Sequence, residues 1–163
     1  MPAHPIALLQ LVNGAGWAFL GAINIAALAA VGGAPVLGWW QAALIAIAVA
    51  VALTLATARA ISGSTAHAEP AAGRLLAAPI QTAGRCIGPF GVAIAILVVL
   101  GVVPGGEPYR GLAALLFLAI GVAYIALALW VRQLEERRGM IITQPVNRLG
   151  MRAGDVLALR LPR

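Results

Sequence analysis

Between His4 and Arg59 the chain has no ionisable side chain, and two further runs, Cys86 to Gly106 and Gly111 to Val131, carry no charge. Lysine is absent altogether: all 11 basic residues are arginine, set against 5 acidic residues, 2 histidines and one cysteine. Each scarcity excludes something. The lone Cys86 rules out an internal disulfide and a cysteine-based metal cluster, and its surroundings read as apolar core rather than as a reactive thiol. With His4 in the N-terminal tail and His67 in a loop, no apolar run offers histidines to a haem. A charge inside the bilayer costs about 2.5 kcal/mol or more on insertion and usually marks an ion path or proton relay. A transporter driven through a membrane carboxylate is therefore disfavoured. No cofactor and no metal is expected.

What the chain does have is apolar surface. Hydrophobic residues make up 62% of it and charged ones 10%, with a mean hydropathy of +0.97, far too much for a soluble 163-residue core to bury. The hydrocarbon slab needs roughly 20 apolar residues per helix. Four spans meet that need: Ile6 to Val31, Trp39 to Ala60, Cys86 to Val103 and Gly111 to Val131. They lack the alternating polarity of barrel strands, so each is a helix. Ala27-Leu28-Ala29 resembles a signal-peptide cleavage site, but the apolar run is long for one and no basic residue precedes it. The fold class expected is all-α, an integral membrane four-helix bundle over residues 1–139 with a small cytoplasmic tail over 140–163.

The arginines set the orientation. Arg59, Arg74 and Arg85 bracket the second connection and seven more fill the C-terminal part, whereas the first connection has no charge and the third only Glu107 and Arg110. By the positive-inside rule both termini and the middle loop are cytoplasmic. Trp39, Trp40 and Tyr109 then form an outer aromatic belt and Trp130 an inner one. Arginine without lysine, amid abundant alanine and glycine, points by composition to a GC-rich bacterial genome, and so to a bacterial inner membrane. A net charge of +6 placed at span ends does not indicate nucleic acid.

A shift of 73 residues aligns Gly32, Gly33, Pro35 and Gly38 with Gly105, Gly106, Pro108 and Gly111, so both outer turns read Gly-Gly-x-Pro-x-x-Gly. It also pairs Arg59 with Arg132 and Trp17 with Phe90. One reading is two helical hairpins related as parallel repeats. The plainer one is mechanical, since glycine supplies positive φ where a helix ends and proline fixes φ where the next begins.

In the middle loop, Ser62-Gly63-Ser64-Thr65 reads as flexible, and Pro70 is placed to start a short surface helix through Ala78. Ser62, Ser64, His67 and Glu69 are types used in nucleophilic catalysis, but a stretch so close in sequence offers no rigid scaffold and reads as linker. Span four is expected to continue to Arg138, with Arg132 and Glu136 four apart and Gly139 as the stop. Beyond it, Met140 to Thr143 and Val156 to Leu161 have strand character, with Leu157, Leu159 and Leu161 on one face and Arg160 on the other. Such a hairpin is marginal alone and must rest on the cytoplasmic loops or on another chain.

Membrane helices associate through close backbone approach, so small residues mark contacts. The candidates are Gly14, Ala18, Gly21 and Ala22 in span one; the ladders Ala42, Ala46, Ala50 and Ala48, Ala52, Ala56, Ala60 in span two; Gly84, Gly88 and Gly91 in span three; and Ala114, Gly121 and Ala128 in span four. Gln10, Asn13, Trp17 and Asn24 fall on one side of helix one. They serve either as interhelical hydrogen-bond partners or as the lining of a polar path. Gln41, Thr54, Thr57 and Tyr124 are the other notable polar groups of the spans. Arg132, Arg137 and Arg138 are positioned for anionic lipid headgroups on the cytoplasmic side. Three functions are compatible with these features: a structural or accessory subunit of a larger membrane complex or homo-oligomer; a small-solute channel or facilitator lined by the polar face of span one; and, more distantly, a lipid- or quinone-binding protein. An enzymatic role ranks below them.

Overall fold

A computed structural model describes residues 4–35, 37–65, 69–70, 76–145 and 156–160. Four helical stretches are long and apolar enough to cross a bilayer: Ile6–Ala30, Trp39–Thr65, Pro79–Val102 and Glu107–Arg138. The protein is a multi-pass membrane protein built as a compact four-helix bundle. Helix α1 is Ile6–Ala30 and α2 is Trp39–Thr65. The third crossing is α3 (Pro79–Arg85) followed by α4 (Ile87–Val102), joined at Cys86. Pro89 has no N–H to donate to the carbonyl of Arg85, four residues back, so the ladder breaks at this joint. Helix α5 runs from Glu107 to Arg138 without interruption, and Gly139 closes it in the left-handed conformation, φ 60°.

Several boundaries differ from the sequence expectation. The surface helix expected from Pro70 through Ala78 is not seen at its described positions, since Pro70 lies in a strand and Leu76 to Ala78 are not helical. The third crossing instead starts at Pro79, ahead of the expected Cys86, after an extended Ala78, as the residue before a proline prefers. Residues 71–75 lie outside the described set. Ser62 to Thr65, expected to be flexible, form the last turn of α2. Ile61 is fully buried there, the Ser64 and Thr65 hydroxyls donate to carbonyls three residues back, and Arg138 Nη1 donates to Thr65 Oγ1 at 3.1 Å.

The two turns away from the sheet share a sequence but not a geometry. After α1 the Gly32 and Gly33 N–H groups bond the carbonyls of Ala29 and Leu28, with Gly32 at φ 70°, which is a Schellman stop. After α4 the Gly106 N–H bonds the Val103 carbonyl across Pro104-Gly105, with Gly105 at φ 76°, which is a type II turn. Pro104 makes the difference, because its counterpart at the 73-residue shift is Val31. Gly38 has φ 78°, whereas Gly111 is buried inside α5. Helix packing does not repeat either. α5 is the hub, touching α1, α2 and α4, while α2 and α4, which a two-fold axis would pair as α1 pairs with α5, are not packed along each other.

The closest approaches in the α1–α5 seam are between backbones. A Cβ added to Gly14 would stand 2.7 Å from the Gly121 carbonyl oxygen, and one on Gly21 would stand 2.6 Å from that of Ala114. These contacts require glycine. On α2 the ladder Ala42, Ala46, Ala50 is buried, and Ala48, Ala52 and Ala56 face outward. Gly84 and Gly91, expected to mark a contact, have open space where a Cβ would be, so the third crossing makes no close approach at these two glycines.

At the other end of the bundle sits a four-stranded sheet in the order β1-β3-β4-β2, made of His4–Pro5, Met140–Gln144, Leu157–Arg160 and Glu69–Pro70. β3 and β4 pair antiparallel, Ile142 opposite Ala158; β1 adds antiparallel to β3, and β2 parallel to β4. The N-terminus and middle loop thus meet the C-terminal part on one side. Both prolines, Pro5 and Pro70, lie in the outer strands, where a missing N–H costs no ladder bond. The Ile142 N–H donates to Glu135 Oε1 at 2.7 Å. The sheet rests on the helices through Ile6, Ile61, Leu127, Val131, Met140, Ile142, Val156 and Ala158. The face turned to the helices carries Val156 and Ala158, and Leu159 on the opposite face is also buried; Leu161 lies outside the described residues.

Candidate functional site

The polar side of α1 divides between two places. Asn13 and Asn24 share an azimuth, but 11 residues of rise set them about 16 Å apart along the axis. Gln10, Asn13 and Trp17 line a cavity of about 330 Å³ in the half of the bundle nearer the sheet, with Leu53 of α2, Pro89 of α4, Phe117 and Tyr124 of α5 and Gln144 of β3. Gln10 is 9% exposed, and neither its Oε1 nor Asn13 Oδ1 has a hydrogen-bond partner among the described residues. An unmet buried acceptor costs roughly 1–3 kcal/mol. These two oxygens are the buried side-chain atoms left without a partner among the described residues, whereas Thr54 and Thr57 donate to carbonyls of their own helix at 2.7 and 2.9 Å.

An aromatic cluster borders the cavity. Trp17 packs against Phe117, ring centres 4.8 Å apart, and edge-on to Phe90 at 6.2 Å. Gly16 makes room for the Phe90 ring, which a Cβ there would strike. Asn24 lies beyond this cluster. Its Oδ1 accepts from Arg110 Nε and Nη2 at 3.0 and 2.7 Å, and its Nδ2 donates to the Leu20 carbonyl at 2.9 Å. Sequence reasoning missed Arg110. The available signal was its isolation, since it is the only arginine of the first and third connections.

The remaining sequence candidates are dispersed. Arg132 pairs with Glu136 at 3.1 Å, both exposed, on the last turns of α5; Arg137 is exposed and Arg138 reaches Thr65. Cys86 is buried beside Leu9, Val12 and Phe90, its thiol 3.5 Å from the Thr82 carbonyl oxygen. His67 lies outside the described residues, and Glu69 belongs to β2. On the sheet side His4 is buried, its Nδ1 3.0 Å from Thr82 Oγ1; burial, then the nearby Arg85 charge, holds its pKa below the ordinary histidine value.

A third feature faces outward: an apolar groove of about 390 Å³ between α2 and α5, whose walls include Ala43, Ala46, Ala50, Ala119, Ala123 and Ala126. No protein-family model, curated protein or solved structure matches this chain.

Proposed function

We propose that the protein is a non-catalytic integral subunit of the bacterial inner membrane, with residues 1–139 as its membrane domain and both termini and the 140–163 tail in the cytoplasm. It docks transmembrane helices of a larger complex or of further copies of itself. The observation that carries this reading is the alanine-walled groove between α2 and α5. Lipid tails are as apolar as leucine, so a partner helix gains over lipid only where small side chains let backbones close in. Six alanines in one groove supply that. Arg132, Arg137 and Arg138 would hold anionic headgroups on the cytoplasmic side at about 1 kcal/mol each. The test is Ala126→Phe, which fills the groove from an exposed position. Purification in mild detergent followed by intact-complex mass measurement should show a co-purifying partner or second copy with the wild type and its loss with the variant. A wild-type chain that emerges as a bare monomer sinks the proposal.

A second reading, favoured by the two unpartnered amide oxygens, is that the cavity lined by Gln10, Asn13, Trp17 and Tyr124 takes up a small molecule bearing hydrogen-bond donors. Three aromatic rings and a few amides match the walls of a small-molecule site. Because Trp17, Phe90 and Phe117 stand between this cavity and Asn24, the geometry suits a blind pocket better than a continuous path. Gln10→Leu with Asn13→Leu should abolish binding or flux in liposomes while the bundle stays folded; unchanged flux removes these residues from any route.

A further inference from the structure

Arg110 stands three residues into α5 at the end of the bundle away from the sheet, where a long basic side chain ordinarily snorkels outward. Its head goes the other way. Gly111 abuts Leu28, and the guanidinium reaches Asn24, one turn before Leu28 and so about 6 Å deeper into the bundle. A single amide oxygen takes both donated hydrogen bonds. Of the five guanidinium N–H groups, these two are the ones with a partner among the described residues. The ion pair found among those residues is Arg132–Glu136, so no carboxylate answers the Arg110 charge, although Glu107 lies one turn away on the same helix.

Beside the guanidinium a groove of about 350 Å³ opens between α1 and α4, walled by Leu20, Ile94, Leu97 and Val98 with Gly101 at its mouth. Gly101 admits the arginine: a Cβ there would stand 3.0 Å from Nη1. From Gly101 to Ile94 the groove follows α4 for about 10 Å toward the middle of the bundle. It joins an unanswered cation at its mouth to an apolar channel along a membrane helix. We infer that Arg110 and Asn24 seat the phosphate of an anionic phospholipid from the leaflet at this end, with one acyl chain lying along α4. The free N–H groups of Arg110 take the phosphate oxygens, a geometry its planar fork suits. This seat is at the opposite end of the bundle from Arg132, Arg137 and Arg138, and it does not depend on the docking groove between α2 and α5.

The experiment is native mass spectrometry of the full chain titrated with phosphatidylglycerol and, separately, phosphatidylcholine of the same acyl chains. The wild type should retain one phosphatidylglycerol in preference to phosphatidylcholine. Arg110→Gln should cut that preference roughly fivefold, the equivalent of about 1 kcal/mol. Val98→Trp, which fills the groove without touching Arg110 or Asn24, should lower occupancy by both lipids, so the idea stays testable even where Arg110→Gln fails to fold. Neutralising Arg132, Arg137 and Arg138 together should leave the retained lipid in place. Equal retention of the two lipids by the wild type, or undiminished phosphatidylglycerol binding by Val98→Trp, overturns the assignment. So does an Arg110→Gln chain that is less stable but binds the lipid as before, since Arg110 would then be a tie between helices and nothing more.

Discussion

The membrane seam and the sheet end of this protein are both tightly packed, yet they are held by opposite means. Between α1 and α5 the closest contacts are at Gly14, Gly21, Ala114 and Gly121, with backbone against backbone, beside the Trp17–Phe117 ring contact and the Asn24–Arg110 hydrogen bonds. Under the sheet the contacts are Ile6, Ile61, Leu127, Val131, Ile142 and Val156, with side chain against side chain. The solvent explains the contrast. In water a large apolar side chain gains by leaving the solvent, at about 25 cal/mol per Å² buried. In lipid it gains nothing by exchanging one hydrocarbon neighbour for another, and stability comes from close approach and interhelical hydrogen bonds. The seam should thus be intolerant of added volume, and the sheet core of lost volume.

The strongest way to break the seam is Gly121→Leu. Its first carbon would stand 2.7 Å from the Gly14 carbonyl oxygen, with three more to place. Destabilisation of about 3 kcal/mol or more, the upper end for overpacked cores, is expected, read as loss of α1–α5 cross-linking with all four spans still inserted. Ile142→Ala tests the other region. Ile142 has no exposed surface, and its truncation should cost about 2–3 kcal/mol, seen as faster amide exchange in β3 and β4 while α1 and α5 keep their protection. A variant that loosened both regions equally would erase the distinction between them.

Acid sharpens the comparison, because the sheet end has a buried histidine and the close contacts of the seam, at Gly14, Gly21, Ala114 and Gly121, have no titratable side chain. His4 favours its neutral form when folded, so the unfolded chain binds the proton more readily. The stability this confers is fully present above the unfolded histidine pKa of about 6.5 and is lost as pH falls from there through the lowered folded value, by at most about 1.4 kcal/mol per pH unit. Protection factors in β1 and β3, referred to the intrinsic exchange rate at each pH, should therefore fall between about pH 7 and pH 5 while α1–α5 contacts hold, and His4→Gln should flatten the dependence. The smallest effect belongs to Arg132→Gln. Its ion pair with Glu136 is exposed on both sides, and thermal unfolding should register a change within about 0.5 kcal/mol.

The four crossings were legible because charge is missing from them, and the end of α5 because Gly139 follows a basic last turn. Two of the strands were legible from their β-branched and alternating residues. β1 and β2 were not: each is two residues long and contains a proline, so strand propensity argues against both, and only the edges offered by β3 and β4 create them. The buried Ala42, Ala46, Ala50 ladder and its exposed neighbour Ala48, Ala52, Ala56 look alike in sequence. Which one packs depends on the approach of α5, a tertiary fact. The amide face of α1 was visible as a periodicity, but periodicity gives azimuth and not depth. Depth separates Gln10 and Asn13 from Asn24, and it brings Arg110 to the last of these.

The parallel pairing of β2 with β4, and the antiparallel pairing of β1 with β3, has a consequence in time. His4 leaves the ribosome first and its partner Gln144 is made 140 residues later, which at about 5–20 residues per second is a wait of roughly 7–28 seconds. Until then all four crossings are made while the strand edge that β1 will share does not exist. The clasp between β1 and β3 can therefore close only after Gln144 has been made, and a translation product stopped before that point is left with β1 unpaired and open to proteolytic surveillance.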